Sequence, residues 1–194
     1  SRGLGDVYKR QELRGAGNIM GAQQHGHMES VGYDMYLKLL GEAVSEEKGE
    51  AAQSADLDCL IDISVNAHIP ESYVESLTLR LDVYRRIADI RNKEDSLDVK
   101  DELKDRFGEI PESVLGLIDI ALIRNCANAM GIYEIRQTDT NVLLFVKEIK
   151  SPKVIELLSR LNGRAMLSAG NKPYITIRCG GGSSLDMLKK VFKI

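Results

Sequence analysis

Chemistry-bearing residues are densest between Glu12 and Gly26, which reads ELRGAGNIMGAQQHG. Four glycines, one arginine, one asparagine and two adjacent glutamines fall within fifteen positions. Gly15, Gly17 and Gly21 let the backbone take positive φ and approach a partner closely. Arg14 and Gln24 carry donors suited to phosphate or sugar oxygens. A nucleotide cradle is the first chemistry to test, and it fails twice. A dinucleotide fingerprint needs a buried strand just before the glycines and a third glycine where Met20 stands. A P-loop needs Lys followed by Ser or Thr after the last glycine, and here Gly21 is followed by Ala22-Gln23.

Other chemistries are equally bare. His25 and His27 lie two apart, but no Cys or carboxylate at ligand spacing completes a metal set, so no metal site is expected. Neither CxxC nor HExxH occurs, and no Ser-His-Asp, Cys-His or paired-carboxylate arrangement has readable local spacing. No catalytic residue is assigned. Cys59, Cys126 and Cys179 are far apart, odd in number and set among apolar neighbours, which fits a reduced cytoplasmic interior better than a disulfide framework. The chain of 194 residues has a formal net charge of −3, so nucleic-acid contact must come from a local patch. Few aromatics and no Trp argue against a base-stacking platform. Without an apolar run of membrane-spanning length, no membrane partner is expected.

The elements that would position these residues follow from periodicity. Residues 1–11, SRGLGDVYKRQ, keep neither a helical nor a strand period and read as a non-native or disordered lead-in. From Val31 to Glu47, Tyr33, Tyr36, Leu37, Leu40, Ala43 and Val44 follow a helical period behind Ser30 as N-cap. Between Glu42 and Asp58 six carboxylates face one lysine, the composition of a solvated linker, so a domain boundary falls near residue 50. Leu57–Ile69 alternates strictly and predicts one half-buried strand, with His68 on its exposed face. Pro70 is expected to open a helix with Val74, Leu77, Leu81, Tyr84, Ile87 and Ala88 inward. Arg80, Arg85, Arg86 and Arg91 are placed partly outward, as a solvated face balanced by Glu75, Asp82 and Asp89.

Helices near Asp95–Phe107 and Pro111–Met130 follow, stopped by Gly108 and Gly131. Then Ile132–Gln137 and Val142–Lys147 predict a hairpin, and Val154–Leu161 a short helix. Arg164–Ser168 and Tyr174–Arg178 predict a second strand pair, and Ser184–Phe192 a closing helix. The fold class is α+β. A glycine-rich loop and long helix lead into a strand, a three-helix layer and a small, mostly antiparallel sheet with helices.

ELRGAGNIMGAQQHGH followed by an amphipathic helix resembles the translocation motif of the RecG helicase and the bacterial transcription-repair coupling factor (Mfd) family. Arg14, Gly15, Gly17, Gly21, Gln24 and Gly26 occupy the places of its RGxGxxxGxxQxG pattern. IDISVNAHIPESYVESLTLRLDVYRRIA and DELKDRFGEIPESVLGLIDIALIRNCANAMGI look like the C-terminal domain of the coupling factors, which RecG lacks. The resemblance covers essentially all of Glu12–Ile194 and divides the chain into residues 12–50, the end of a translocase lobe, and 51–194, a C-terminal regulatory domain.

The resemblance implies a larger ATP-dependent translocase on double-stranded DNA. That protein would displace stalled RNA polymerase and recruit excision-repair proteins. Arg14 would tie the motif to the ATPase lobes, and Gln24 would grip the DNA backbone without reading sequence. ATP and Mg would belong to the parent protein. This stretch carries no ATP-binding motif and is expected to bind no cofactor and to hydrolyse no ATP by itself. The C-terminal domain would pack on a UvrB-like N-terminal module in cis, with Glu102 and Asp105 meeting basic residues there. A free-standing protein-interaction module and a fragment of a RecG-type helicase are the alternatives.

Overall fold

The computed structural model describes residues 59–194, so the translocation-motif positions Arg14–Gly26, His25, His27 and the expected helix 31–47 lie outside the described residues. The elements are β1 (Leu60–Asp62), α1 (Leu77–Ala88), α2 (Lys93–Phe107), α3 (Glu112–Ala129), β2 (Ile132–Gln137) and β3 (Asn141–Val146). They continue with α4 (Pro152–Leu161), β4 (Ala165–Ser168), β5 (Tyr174–Arg178) and α5 (Ser184–Phe192). The architecture is α+β, as the periodicities indicate.

Helix α3 is the hub. Its sequence ESVLGLIDIALIRNCANA is apolar around most of its circumference, which is the pattern of a helix covered on all sides. Val114, Leu117, Ile118, Ile120, Ala121, Ile123 and Ala127 are fully buried. It packs against α1, α2, α5, β1 and β2. The chain before α1 crosses it at Gly116, where a Cβ would stand at ordinary contact distance, 3.6 Å from the Asn66 carbonyl oxygen and 3.7 Å from Ala67 Cβ.

The five strands form one sheet in the order β1-β2-β3-β5-β4. β1 runs parallel to β2, with Leu60 opposite Glu134 and Asp62 opposite Arg136. Every other pairing is antiparallel. The lone strand before the helical layer therefore belongs to the same sheet as the later hairpins, because α1, α2 and α3 supply the long crossover that parallel neighbours require.

Alternation sorts the sheet into two faces. Ile61, Ile132, Ile135, Val142, Leu144, Val146, Ile175 and Ile177 point into the core. The helices on that side are tied together. Lys153 Nζ donates to the Ala129 carbonyl, linking α4 to α3, and Lys189 reaches Asp119 at 2.6 Å, linking α5 to α3. Arg160 of α4 donates to the Val191 carbonyl of α5.

The structure departs from the sequence expectation in four places. The strand expected over Leu57–Ile69 has paired ladder only at Leu60–Asp62, because the chain passes the end of β2 and turns across α3. Side-chain carbonyls replace the ladder at both ends: Cys59 N–H donates to Asn128 Oδ1 at 2.7 Å, and Ser64 N–H to Gln137 Oε1 at 3.0 Å. The alternation is still real, since Ile61, Ile63 and Ile69 are buried while Asp62 and Ser64 are exposed. His68 on the other face is half-buried rather than exposed.

Pro70 opens a single turn, with Tyr73 and Val74 N–H groups donating back to its carbonyl, and α1 begins only at Leu77. Ser76 is the N-cap that sets this start, its hydroxyl accepting from the Leu79 N–H. Arg80, expected partly outward, is 7% exposed. Its guanidinium donates to the Val74 and Glu75 carbonyls at 2.9 and 3.1 Å, so it satisfies the backbone that the late helix start leaves open.

Candidate functional site

The candidate surface is built on α2. Asn92 caps its N-terminus in a reciprocal box with Asp95, and Gly108 ends it at φ 83° and ψ −151°, a backbone conformation that is essentially glycine's alone. Val99 and Leu103 turn inward against the helical layer. That rotation puts Glu102 and Asp105, three apart, on the outer side of the helix.

The two acids have different surroundings. Glu102 lies between two arginines: Oε1 is 2.9 Å from Arg106 Nη1, and Oε2 is 3.1 Å from Arg86 Nε. Hydrogen bonding from Arg106 first, and from Arg86 second, holds its carboxyl below the usual carboxylate range. Asp105 is exposed and joins no ion pair among the described residues. Of the two acids singled out in the sequence, only Asp105 offers a carboxylate not already matched among the described residues.

Arg86 was the member that sequence spacing could not supply. It lies sixteen residues before Glu102 on a different helix, and only the packing of α1 on α2 brings the two together. Arg106 was legible as the i+4 partner of Glu102. Its guanidinium also lies 5.0 Å from the Phe107 ring centroid, and Phe107 meets Tyr73 edge-on at 5.8 Å. Tyr73 donates to the Leu103 carbonyl at 3.2 Å, tying the turn after Pro70 to the end of α2. An aromatic hollow lined by Tyr73, Leu79 and Phe107 thus borders the charged group.

Among the described residues no cluster of His, Cys, Asp and Glu could hold a metal ion, and no helix is long and apolar enough to cross a membrane. Cys59 is buried, and Cys126 and Cys179 are half-buried. The site has no nucleophile-base pair. What it can do is recognise, through charge and a bordering aromatic surface.

Comparison with known proteins gives this surface a family. Residues 63–156 match the TRCF domain model. The transcription-repair-coupling factor of Bacillus subtilis is 34% identical over 185 residues, covering 92% of this chain and 16% of that protein. The same factor from Staphylococcus epidermidis is 37% identical over 145 residues (74% of this chain, 12% of that protein). That of Mycobacterium tuberculosis is 36% identical over 143 residues (69% of this chain, 12% of that protein). The chain thus spans less than a fifth of the length of these relatives. A crystal structure of the C-terminal domain of transcription-repair coupling factor superposes with a TM-score of 0.62 at 18% identity, covering 70% of this chain and 88% of that one, which is a likeness of fold. Composition, fold and relatives agree: this chain belongs to the transcription-repair-coupling factors and carries their C-terminal TRCF domain.

Proposed function

We propose that the described domain is the regulatory end of an ATP-dependent double-stranded DNA translocase that displaces stalled RNA polymerase and couples transcription to nucleotide excision repair. The observation that carries this reading is the TRCF match at residues 63–156 together with relatives named transcription-repair-coupling factor. ATP and Mg act in the parent protein, on lobes that precede this stretch. Arg14, Gly15, Gly17, Gly21, Gln24 and Gly26 form the translocation motif, with Arg14 coupling it to those lobes and Gln24 touching the DNA backbone. RNA polymerase and excision-repair proteins are partners of the parent protein.

Regulation acts through α2. Asp105 meets a cation of the UvrB-like N-terminal module, and Glu102 joins it only by sharing or giving up Arg86 and Arg106. The geometry favours this division of labour because, among the described residues, Glu102 is already matched and Asp105 is not. The test measures binding of the 194-residue chain to that isolated module. Asp105→Arg should weaken it about tenfold, the scale of losing one close charge pair at an interface. Arg86→Ala should strengthen it by freeing Glu102. Unchanged affinity in both variants rejects the regulatory reading. In the whole motor, Arg14→Ala/Gln24→Ala should abolish translocation while leaving nucleotide binding intact.

A further inference from the structure

The second face of the sheet, opposite the helices, has a composition that the regulatory reading does not use. Register places its residues in rows. Glu134, Phe145, Tyr174 and Ser168 form one row, and Arg136, Leu143, Thr176 and Met166 the next. Asn141 and Arg178 begin a third, and Arg164, one residue before Ala165, continues it beside Arg178.

Three properties of this face coincide. First, aromatic rings stand side by side across three strands. Tyr133 and Phe145 have centroids 6.1 Å apart, and Phe145 and Tyr174 5.4 Å. Arg136 lies over Phe145 at 5.2 Å, while Tyr133 and Tyr174 remain half-exposed. Three of the chain's ten Phe and Tyr residues therefore meet on one sheet face.

Second, the face is a source of positive charge. On β3, β5 and β4 it carries no carboxylate; Glu134 on β2 is already paired with Arg136, and Asp62 on β1 stands opposite Arg136 at the far edge. Arg164 and Arg178 are exposed and enter no ion pair among the described residues. Third, charge is segregated along the chain. Residues 132–194 hold eleven Lys and Arg against five Asp and Glu, whereas residues 59–131 hold nine against fourteen. The half that holds β2 to β5 with α4 and α5 is therefore net basic and the half before it net acidic, and three of the eleven cations, Arg136, Arg164 and Arg178, lie on this face.

We infer that this face binds a single DNA strand. Phosphates pair with Arg164 and Arg178 at the edge, and bases stack on Tyr174 and Tyr133. A polyanion complements the unpaired arginines. A sheet face with half-exposed rings suits unpaired bases, whose π-faces a duplex hides. Stacking and phosphate contact need no 2′-hydroxyl, so DNA suffices. This contact is separate from the translocation motif and independent of the α2 interface.

The test is fluorescence anisotropy of the full chain carrying Arg14→Ala/Gln24→Ala, with a labelled thymidine oligonucleotide of about 16 nucleotides at about 50 mM salt. The background removes the motif as a source of binding. Arg164→Gln/Arg178→Gln should weaken binding about tenfold and flatten the log–log salt slope by about 1.4, two phosphates at about 0.7 each. Tyr174→Ala should cost about fivefold or more with the salt slope unchanged. A control pair away from the sheet, Arg85→Gln on α1 and Arg91→Gln in the link that follows it, alters net charge equally and should leave affinity within about twofold. Circular dichroism of each variant keeps misfolding apart from lost contact. The inference is overturned if the oligonucleotide does not bind, if the control loses as much, if a duplex of equal length binds as well, or if the matching RNA binds more tightly.

Discussion

Tyr84→Phe removes a buried hydrogen bond. Tyr84 is 1% exposed on α1, and its hydroxyl accepts from the Ile69 N–H at 2.9 Å. Ile69 is itself 5% exposed, so the variant leaves a buried amide without its acceptor and opens no cavity beyond one oxygen. A buried donor so orphaned costs about 1–3 kcal/mol. In a chain of this size each kcal/mol moves the melting midpoint by about 2–4 °C, so the middle of that range is a fall of about 4–8 °C. Differential scanning fluorimetry reads it directly, and amide exchange at Ile69 should accelerate with it.

The same hydroxyl carries a pH signature. Burial chiefly raises the Tyr84 pKa above its ordinary 10.0, against smaller lowering effects from the Ile69 amide and Arg80. A raised folded-state pKa means the stabilisation is fully present below pH 10 and is lost as pH climbs through the folded value. The gap between wild type and Tyr84→Phe should therefore narrow above pH 10, by up to about 1.4 kcal/mol per pH unit. A midpoint within about 1 °C of wild type at neutral pH would refute the reasoning, because it would mean that the extended segment finds another acceptor.

Three further outcomes follow from named geometry. Gly116→Ala should stabilise the fold by about 0.5–1 kcal/mol, because α3 gains helix propensity and the added methyl meets neighbours only at ordinary contact distances of 3.6–3.9 Å; a lower melting midpoint would show that the crossing is tighter than that. Gly108→Ala should cost about 1–3 kcal/mol in chemical denaturation, since φ 83° with ψ −151° excludes a Cβ. Glu102→Gln should lose only about 0.2–1 kcal/mol, as expected of an ion pair with a carboxylate about one-third exposed. The depressed Glu102 pKa makes that contribution present above the ordinary carboxylate range and lost as pH falls through the folded value, and added salt should erase it.

Helix boundaries were legible wherever local chemistry sets them. Gly108 and Gly131 end α2 and α3 at positive φ, and Tyr174–Arg178 and Ser184–Phe192 appear with the limits their periodicity gives. The start of α1 was not legible, because Pro70 and Ser76 both signal a beginning. Only the tertiary placement of Arg80, with its donors turned to Val74 and Glu75, decides in favour of Ser76. Strand length misled for a related reason. Alternating burial records an extended chain beside a core, and residues 59–69, the described part of that run, supply it without a ladder pairing beyond Asp62. Glu102 and Asp105 were visible as an acidic pair, but their inequality depends on Arg86, which no spacing rule connects to α2. The aromatic row escaped notice because Tyr133, Phe145 and Tyr174 are distant in sequence and meet only through strand register.

The pairing of β1 with β2 has a kinetic consequence. Leu60 finds Glu134 across the whole helical layer, so closing that contact costs about 4 kcal/mol of chain entropy by (3/2)RT ln n for about seventy residues. Three residue pairs and two side-chain clamps, Asn128 and Gln137, must recover it. The helices and hairpins, built from local contacts, are free to form first, and β1 joins last. The last strand to join is also the one through which residues 1–58 enter the domain. Opening of this edge should therefore be the lowest-energy excursion of the sheet, and tension on the upstream chain would reach three ladder pairs before it reached the core.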